Sequence, residues 1–233
     1  MKIAEVFESL QGEGKLTGVP SVFIRASGCN LRCTWCDTPY ASWHPEGEER
    51  SVDELVGWAR SQRARHVVFT GGEPMIQSDA PTLCAALRKA GLHVTIETAG
   101  TIFKPVEIDL LSLSPKLANS TPTQREGGRF ARAHDKLRLQ PAAMNKLIAH
   151  TRDSGGDVQL KFVVADPGDL DEIDAVLETI TGWRGEDIML MPEGTDTATL
   201  RERAVWLSDV CIDRGWRFCQ RLHVELYGNK RGT

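Results

Sequence analysis

The feature that most constrains the fold is a repeated alternation of short apolar runs with longer segments of helical periodicity. The apolar runs predict strands at residues 3–7, 21–25, 66–70, 92–97, 108–113, 158–164, 188–191 and 216–222. Helices are predicted between them, one capped by Ser51 and the others at residues 80–90, 141–150, 170–180 and 200–214. Strands that alternate with helices form βαβ units and a parallel sheet. We therefore predict an α/β fold in which about six parallel strands form a partial barrel, as a single domain spanning residues 1–233.

One long segment interrupts this alternation. Residues 119–140 carry few large apolar side chains and charges of both signs, which predicts a loop with at most a short helix. A solvated excursion on the surface is the favoured interpretation. A substrate lid is the alternative, because loops of this length in compact domains are often functional.

The composition favours an enzyme that acts on small molecules. The chain has 233 residues and a net charge of −4, so nothing indicates a nucleic-acid groove. The N-terminus lacks a signal-peptide pattern, and no apolar run approaches the roughly 18 residues of a membrane helix. We expect a cytoplasmic protein, in which six cysteines serve as ligands, catalysts or core residues rather than as disulfides.

Three of these cysteines form a compact cluster, at Cys29, Cys33 and Cys36. Thiolates suit zinc or an iron–sulfur cluster. A structural zinc site needs four ligands, and the nearest candidates for the fourth, His44 and Cys84, lack the usual paired spacing. The other three cysteines, at 84, 211 and 219, fall in predicted helices or strands and are expected in the core.

The spacing C-x3-C-x2-C resembles that of the radical S-adenosylmethionine (SAM) superfamily. Trp35 stands just before the last cysteine, and residues 71–74 read Gly-Gly-Glu-Pro at the end of the next strand, as in that superfamily. The resemblance implies a [4Fe-4S] cluster held by the three cysteines, with one iron open to SAM. It also implies that the amino group of SAM contacts backbone oxygens of the Gly-Gly-Glu-Pro turn and the side chain of Glu73.

Further segments narrow the resemblance. They are ESLQGEG at 8–14, GVP at 18–20, FIR at 23–25, Asp37-Thr38, Glu97-Thr98, SPK at 114–116 and YGNKRG at 227–232. This set is similar to the 7-carboxy-7-deazaguanine synthase family, and the similarity runs from about Glu5 to near the C-terminus. It implies a carbon–nitrogen lyase of queuosine or deazapurine biosynthesis. Such an enzyme converts 6-carboxy-5,6,7,8-tetrahydropterin to 7-carboxy-7-deazaguanine, releases ammonia and regenerates SAM, with assistance from Mg2+.

The resemblance also implies roles for individual residues. Substrate-binding residues are Leu10, Gln11, Gly12, Glu13, Arg25, Thr70 and His223. SAM-binding residues are Trp35, Asp37, Gly72, Glu73, Ser114, Pro115, Lys116, Met191, Pro192, Glu193 and Gly194. Thr38 would enter the Mg2+ shell, which takes few protein ligands. Arg25 offers a planar fork suited to the pterin carboxylate.

Two other functions remain open at this point. A glycyl-radical-activating enzyme would have the same cluster but would act on a protein and consume SAM. A zinc-binding structural module would bind no iron, and residues 125–138 could be its partner surface. For the deazaguanine synthase, the resemblance implies a homodimer. The low potential of the cluster implies flavodoxin or ferredoxin as electron donor.

Overall fold

The computed structural model describes all 233 residues and contains one nine-stranded sheet. The strands are β1 (Lys2–Leu10), β2 (Pro20–Ala26), β3 (Glu48–Glu49), β4 (His66–Gly71), β5 (His93–Thr98), β6 (Leu110–Leu113), β7 (Asp157–Val164), β8 (Ile188–Pro192) and β9 (Arg217–Phe218). Their order across the sheet is β3-β1-β2-β4-β5-β6-β7-β8-β9. The edge strands β3 and β9 do not pair with each other, so the barrel is incomplete.

The pairing of the strands confirms the predicted α/β fold. The strands β2, β4, β5, β6, β7, β8 and β9 follow one another in the sheet, and each adjacent pair is parallel. Of these seven strands only β9 is as short as two residues. The N-terminal strand β1 instead pairs antiparallel with β2 and with β3. Six well-formed parallel strands therefore end at the same edge of the sheet, where their terminal side chains converge.

Eight helices accompany the sheet. They are α1 (Pro39–Ser42), α2 (Val52–Ser61), α3 (Ala80–Lys89), α4 (Ala131–Arg138), α5 (Pro141–Asp153), α6 (Asp169–Thr179), α7 (Thr197–Arg214) and α8 (Leu222–Tyr227). Local sequence fixes several of their ends. Ser51 and Glu54 form the predicted capping box of α2, and Gly91 follows α3 with a φ of +79°, a left-handed conformation that glycine adopts without strain. None of the eight helices combines the length and the apolar character needed to cross a bilayer.

A single large hydrophobic core joins the sheet to its helices. It extends from Ile3 on β1 to Cys211 on α7 and includes Phe69 and Phe162 in the middle of the sheet. Burial of apolar side chains of this size is the main stabilising contribution to the fold. The predictions for Cys84 and Cys211 are confirmed, because both lie in this core.

The last predicted strand was too long. Residues 216–222 were predicted as one strand, but the strand ends at Phe218 and α8 begins at Leu222. Beyond the strand, the Leu222 N–H donates to the Gly12 carbonyl (2.9 Å), and the neighbouring Arg221 is buried.

Residues 119–140 are not purely a solvated excursion. They contain the short helix α4, as the sequence allowed, but one side of the segment is buried. His134 is 2% exposed, accepts from the Arg32 N–H at 3.0 Å and lies 2.9 Å from the Ser120 hydroxyl. The interpretation as a free surface loop was therefore wrong for this inner side, which packs on the cysteine segment.

A buried histidine makes the stability of the fold dependent on pH. His66 lies 2.7 Å from the Ser21 hydroxyl and 2.7 Å from that of Thr95. Burial, with a smaller contribution from His93, lowers the pKa of His66 to about 4 from 6.5. Between these values the unfolded chain binds a proton that the folded chain does not, so stability falls as the pH decreases through this window.

We expect a decrease in pH from 6.5 to about 4 to lower the free energy of unfolding of the wild-type chain by up to about 3 kcal/mol. His66→Gln should flatten this dependence, because glutamine does not titrate. Urea unfolding across the window measures the effect, and His44→Gln, which changes an exposed histidine, is the control. An equal pH slope in the wild type and His66→Gln would contradict the assignment.

Candidate functional site

A cavity of about 430 Å³ lies at the carboxyl ends of the parallel strands. Arg25 from β2, Thr70 from β4 and Glu97 from β5 line one part of it, and Lys161 from β7 and Met191 from β8 line another. The in-register pairing of β2 with β4 sets Arg25 directly beside Thr70. Because all these strands run in the same direction, residues far apart in the chain meet at one site.

The three clustered cysteines line this cavity. Their segment is held by hydrogen bonds to its main chain. The Gly28 N–H donates to the Ala41 carbonyl (2.8 Å), and the Trp43 indole N–H donates to the Cys33 carbonyl (3.0 Å). Burial raises the pKa of Cys33 to about 12 and raises that of Cys29 as well. A buried thiolate is therefore costly unless a metal centre compensates its charge.

The three thiols are a donor set that suits an iron–sulfur cluster. No group of three or more cysteine, histidine, aspartate or glutamate side chains is arranged to hold one metal ion. A four-iron cluster presents each thiolate to a different iron, so its three ligands need not converge on one point. This arrangement provides no support for a four-coordinate structural zinc site.

Close packing explains the glycine beside the cysteine segment. A Cβ atom on Gly72 would lie 2.2 Å from the Gly28 carbonyl oxygen and 2.5 Å from that of Ala41. Only glycine permits this approach between the end of β4 and the cysteine segment. We expect any larger residue at position 72 to displace the segment that carries the thiols.

Most of the predicted SAM-binding residues lie together at the cavity. Those that line it are Trp35, Asp37, Gly72, Ser114, Lys116, Met191, Glu193 and Gly194. Lys116 donates to the Ser114 hydroxyl (2.8 Å), and its ammonium group lies 5.8 Å from the centre of the Trp35 ring. This leaves an ordered cation in the cavity, close to the cysteine segment.

Three predicted SAM-binding residues, Glu73, Pro115 and Pro192, do not line the cavity. The Glu73 carboxylate is 1% exposed and accepts from the Thr98 hydroxyl (2.6 Å), the Ala99 N–H (2.9 Å) and the Met75 N–H (3.0 Å). In this arrangement its side chain holds the turn together, and a contact between Glu73 and SAM stays a prediction. The N–H groups of Met75 and Ala99 need an acceptor, and the Glu73 carboxylate provides it.

All seven predicted substrate-binding residues line the cavity: Leu10, Gln11, Gly12, Glu13, Arg25, Thr70 and His223. The Nε of Arg25 donates to Glu5 at 2.7 Å, and Glu5 also accepts from the Tyr40 hydroxyl at 2.7 Å. The terminal nitrogens of Arg25 make no hydrogen bond to the protein and remain available for a carboxylate. Thr38, the predicted Mg2+ ligand, also lines the cavity.

A buried charge network surrounds Glu13. Its carboxylate accepts from Lys161 and, at 3.1 Å, from Arg221, and the Nε2 of His223 lies 4.0 Å away. Arg221 also binds Asp37 and the Gly194 carbonyl. Burial opposes ionisation of Glu13, but Lys161 and Arg221 outweigh it and hold the pKa of Glu13 well below its usual range. The carboxylate is therefore charged at neutral pH.

Three charged residues of this site had no predicted role: Glu97, which the sequence analysis named only as part of a family segment, Lys161 and Arg221. Glu97 accepts from the Thr70 hydroxyl (2.9 Å) and the Gln11 amide (3.2 Å), which places a second carboxylate among the expected substrate contacts. A lysine at position 161, within an apolar strand, was a signal of a buried ion pair. Arg221 gave a weaker signal, because its segment also carries the polar residues Arg217 and Gln220.

Comparison with known proteins identifies relatives along the whole chain. Residues 23–118 match the radical SAM superfamily. The 7-carboxy-7-deazaguanine synthase of Rhodopirellula baltica is 46% identical over 231 residues, which cover 99% of this chain and 88% of the relative. That of Halobacterium salinarum is 45% identical over 243 residues, with 100% and 93% covered.

Solved structures give the same result. QueE from Escherichia coli superposes with a TM-score of 0.69 at 29% identity, over 95% of this chain and 94% of that one. Streptococcus suis SuiB bound to S-adenosylmethionine superposes with a TM-score of 0.56 at 15% identity, over 87% of this chain and 51% of that one. The second likeness shows a shared fold alone.

Proposed function

Because this chain belongs to the 7-carboxy-7-deazaguanine synthase family of radical SAM enzymes, we propose that its cavity converts 6-carboxy-5,6,7,8-tetrahydropterin to 7-carboxy-7-deazaguanine and ammonia. The observation that carries the proposal is the meeting of three cysteines and Arg25 in one cavity. The cysteines suit a cluster that initiates radical chemistry, and the arginine suits a carboxylated substrate.

A [4Fe-4S] cluster and SAM, when bound, would supply the radical chemistry that initiates the reaction. The chain itself binds and orients the reactants. Cys29, Cys33 and Cys36 would hold the cluster, and Lys116 offers a cation for the carboxylate of SAM. The enclosing walls limit the access of water to a radical.

Polar groups around the cavity fit the two ends of the pterin. The free terminal nitrogens of Arg25 can donate two parallel hydrogen bonds to the carboxylate. Glu13 and Glu97 can accept from the amino and ring N–H groups, because the carboxyl oxygens keep lone pairs beyond those used in the protein. The main chain of Gly12 lies against the ring of His223, so this glycine cannot be enlarged without moving the histidine.

We propose Thr38 as the protein ligand of a Mg2+ ion. Thr38 lines the cavity beside Asp37, and its hydroxyl lies 3.8 Å from the Cys36 sulfur. The Asp37 carboxylate is charged, because Arg221 outweighs the effect of burial and lowers the pKa of Asp37. Mg2+ keeps several waters and takes few protein ligands, so one hydroxyl and substrate oxygens are sufficient. Asp37 would act on the waters of the ion while bound to Arg221.

We further propose one domain over residues 1–233, a homodimer and a cytoplasmic location. The single large core supports the proposal of one domain.

Val205 and Ile212 on α7 are 71% and 77% exposed and give a second copy of the chain an apolar surface to cover. All six cysteines are unpaired, which fits a reducing compartment. Light scattering and cell fractionation test the last two proposals.

The decisive experiment is an anaerobic assay of the reconstituted enzyme with dithionite, SAM, Mg2+ and 6-carboxytetrahydropterin. We expect mass spectrometry to find 7-carboxy-7-deazaguanine with SAM largely unconsumed, and a lower rate when Mg2+ is omitted. Cleavage of SAM without formation of the deazapurine would show that the substrate assignment is wrong. A protein that binds zinc and no iron would support the structural module, and a requirement for a protein substrate would support the glycyl-radical-activating enzyme.

A further inference from the structure

Arg221 is buried in the wall of the cavity and bonds three segments of the chain at once. Its Nε donates to the Glu13 carboxylate at 3.1 Å, and its two terminal nitrogens donate to the Gly194 carbonyl and to the Asp37 carboxylate. The side chain is 7% exposed and lines the cavity. A guanidinium has nitrogens that donate in several directions from one rigid plane. Arg221 is therefore a link between segments that are far apart in sequence.

The three bonded segments belong to two different binding sites. Glu13 lies between β1 and β2, among the expected contacts of the substrate. Asp37 follows the last clustered cysteine and Gly194 follows β8, and both are expected at SAM. The guanidinium thus touches the substrate side and the SAM side of the cavity at the same time.

The main chain that carries Arg221 is anchored on both sides. The Cys219 N–H donates to the Leu190 carbonyl of β8 at 2.8 Å, and the Leu222 N–H donates to the Gly12 carbonyl at 2.9 Å. These bonds fix the backbone of the arginine relative to the sheet and to the substrate turn. The position of the guanidinium is therefore set by its own backbone as well as by its three partners.

Asp37 depends on Arg221 more than Glu13 does. Glu13 also binds Lys161, whereas the Asp37 side chain forms no other hydrogen bond or ion pair within the chain. Two carboxylates that share one guanidinium lie close enough to repel each other once the cation is removed. Loss of Arg221 would thus release Asp37 and push it away from Glu13. Lys161, which neutralises Glu13 alone, offers a matched comparison.

We propose that Arg221 is a positioning residue that holds the substrate site and the SAM site in a fixed relation to each other. It acts through Glu13 on one side and through Asp37 and Gly194 on the other. This inference rests on the proposed function, in which the two ligands react with each other across the cavity. A displacement of about 1 Å between reacting groups can slow a reaction by about 100-fold.

Binding tests the proposal without turnover. The reconstituted enzyme, with its cluster oxidised, is titrated anaerobically with SAM and, separately, with 6-carboxytetrahydropterin. We expect Arg221→Gln to raise the Kd for both ligands about fivefold or more, and Lys161→Gln to raise that for the pterin only. Arg214→Gln changes a partly exposed ion pair with Asp174 outside the cavity, and should leave both Kd values unchanged.

A cross-site comparison separates positioning from a general loss of structure. Asp37→Asn changes only the SAM side, yet it should raise the Kd for the pterin about threefold or more while Arg221 is present. In the Arg221→Gln background it should have no further effect on that Kd. Independent effects of the two substitutions on pterin binding would overturn the proposed link.

Turnover at saturation supplies a third measurement. Arg221→Lys keeps one positive charge but loses the fork. With both ligands saturating, its kcat should stay about tenfold or more below that of the wild type, because saturation does not restore the relative placement of the ligands. A wild-type kcat in this variant, or a wild-type Kd for SAM in Arg221→Gln, would overturn the proposal.

Two further outcomes remain informative. If Arg221→Gln does not retain the cluster, Arg221→Lys takes its place in every binding comparison. If the wild type binds SAM but not the pterin, the proposed function fails. The Kd for SAM in Arg221→Gln, compared with that in Lys161→Gln, then still decides whether Arg221 holds the SAM side of the cavity.

Discussion

Cys33→Ala will abolish formation of the intact cluster and with it cleavage of SAM and formation of 7-carboxy-7-deazaguanine. Three thiolates are the only protein ligands that the cavity offers to the irons, and Cys33 is the middle one. One iron is already left open for SAM. Alanine supplies no ligand, so a second iron would lack a protein ligand in this variant. We expect a fall in turnover of 10⁴-fold or more, on the order of 6 kcal/mol, because no other residue can replace the chemistry of the cofactor.

Iron content, the visible absorbance of the reconstituted protein and release of 5′-deoxyadenosine measure this effect. Cys84→Ala is the matched control, because Cys84 is buried in the core and lies outside the cavity. It should keep the cluster and the activity, with a loss in stability of about 1 kcal/mol from the small space left behind. A full cluster and wild-type SAM cleavage in Cys33→Ala would refute the assignment of the ligands.

Arg25→Gln should lower kcat/KM for the carboxylated pterin by about 100-fold or more, equivalent to roughly 3 kcal/mol. The substitution removes the fork that binds the carboxylate and leaves Glu5 bonded to Tyr40 and Arg231 only. Much of the loss should appear in KM, because the carboxylate is bound in the ground state as well as in the transition state. The affinity for SAM should stay that of the wild type.

Steady-state kinetics and a SAM titration separate these effects. Arg88→Gln is a suitable control. Arg88 forms an ion pair with Asp109 (3.1 Å between nitrogen and oxygen), and neither residue lines the cavity. We expect it to leave both parameters unchanged, because partly exposed ion pairs contribute little. If Arg25→Gln binds and turns over the pterin as the wild type does, another cation must hold the carboxylate.

Glu73 illustrates what local sequence leaves open. The Gly-Gly-Glu-Pro turn lies at the end of β4 as predicted, and the hydrogen bonds that hold its carboxylate are seen only in the tertiary structure. Local sequence does not state which orphan N–H groups the turn leaves, and the structure shows that those of Met75 and Ala99 take the carboxylate. Residues 119–140 failed for a similar reason, because their buried side is created only by contact with the cysteine segment.

The sequence by itself predicted the alternation of strands and helices, the compact group of three cysteines and many of the residues that line the cavity. Hydrophobic periodicity and the spacing of Cys29, Cys33 and Cys36 are short-range properties that a chain displays before it folds. Only the tertiary structure decided which charges meet: Glu13 is paired with Lys161 and Arg221, which are 148 and 208 positions away. Such pairs depend on strand register and on the departure of the chain from the sheet after β9, and no local pattern encodes either.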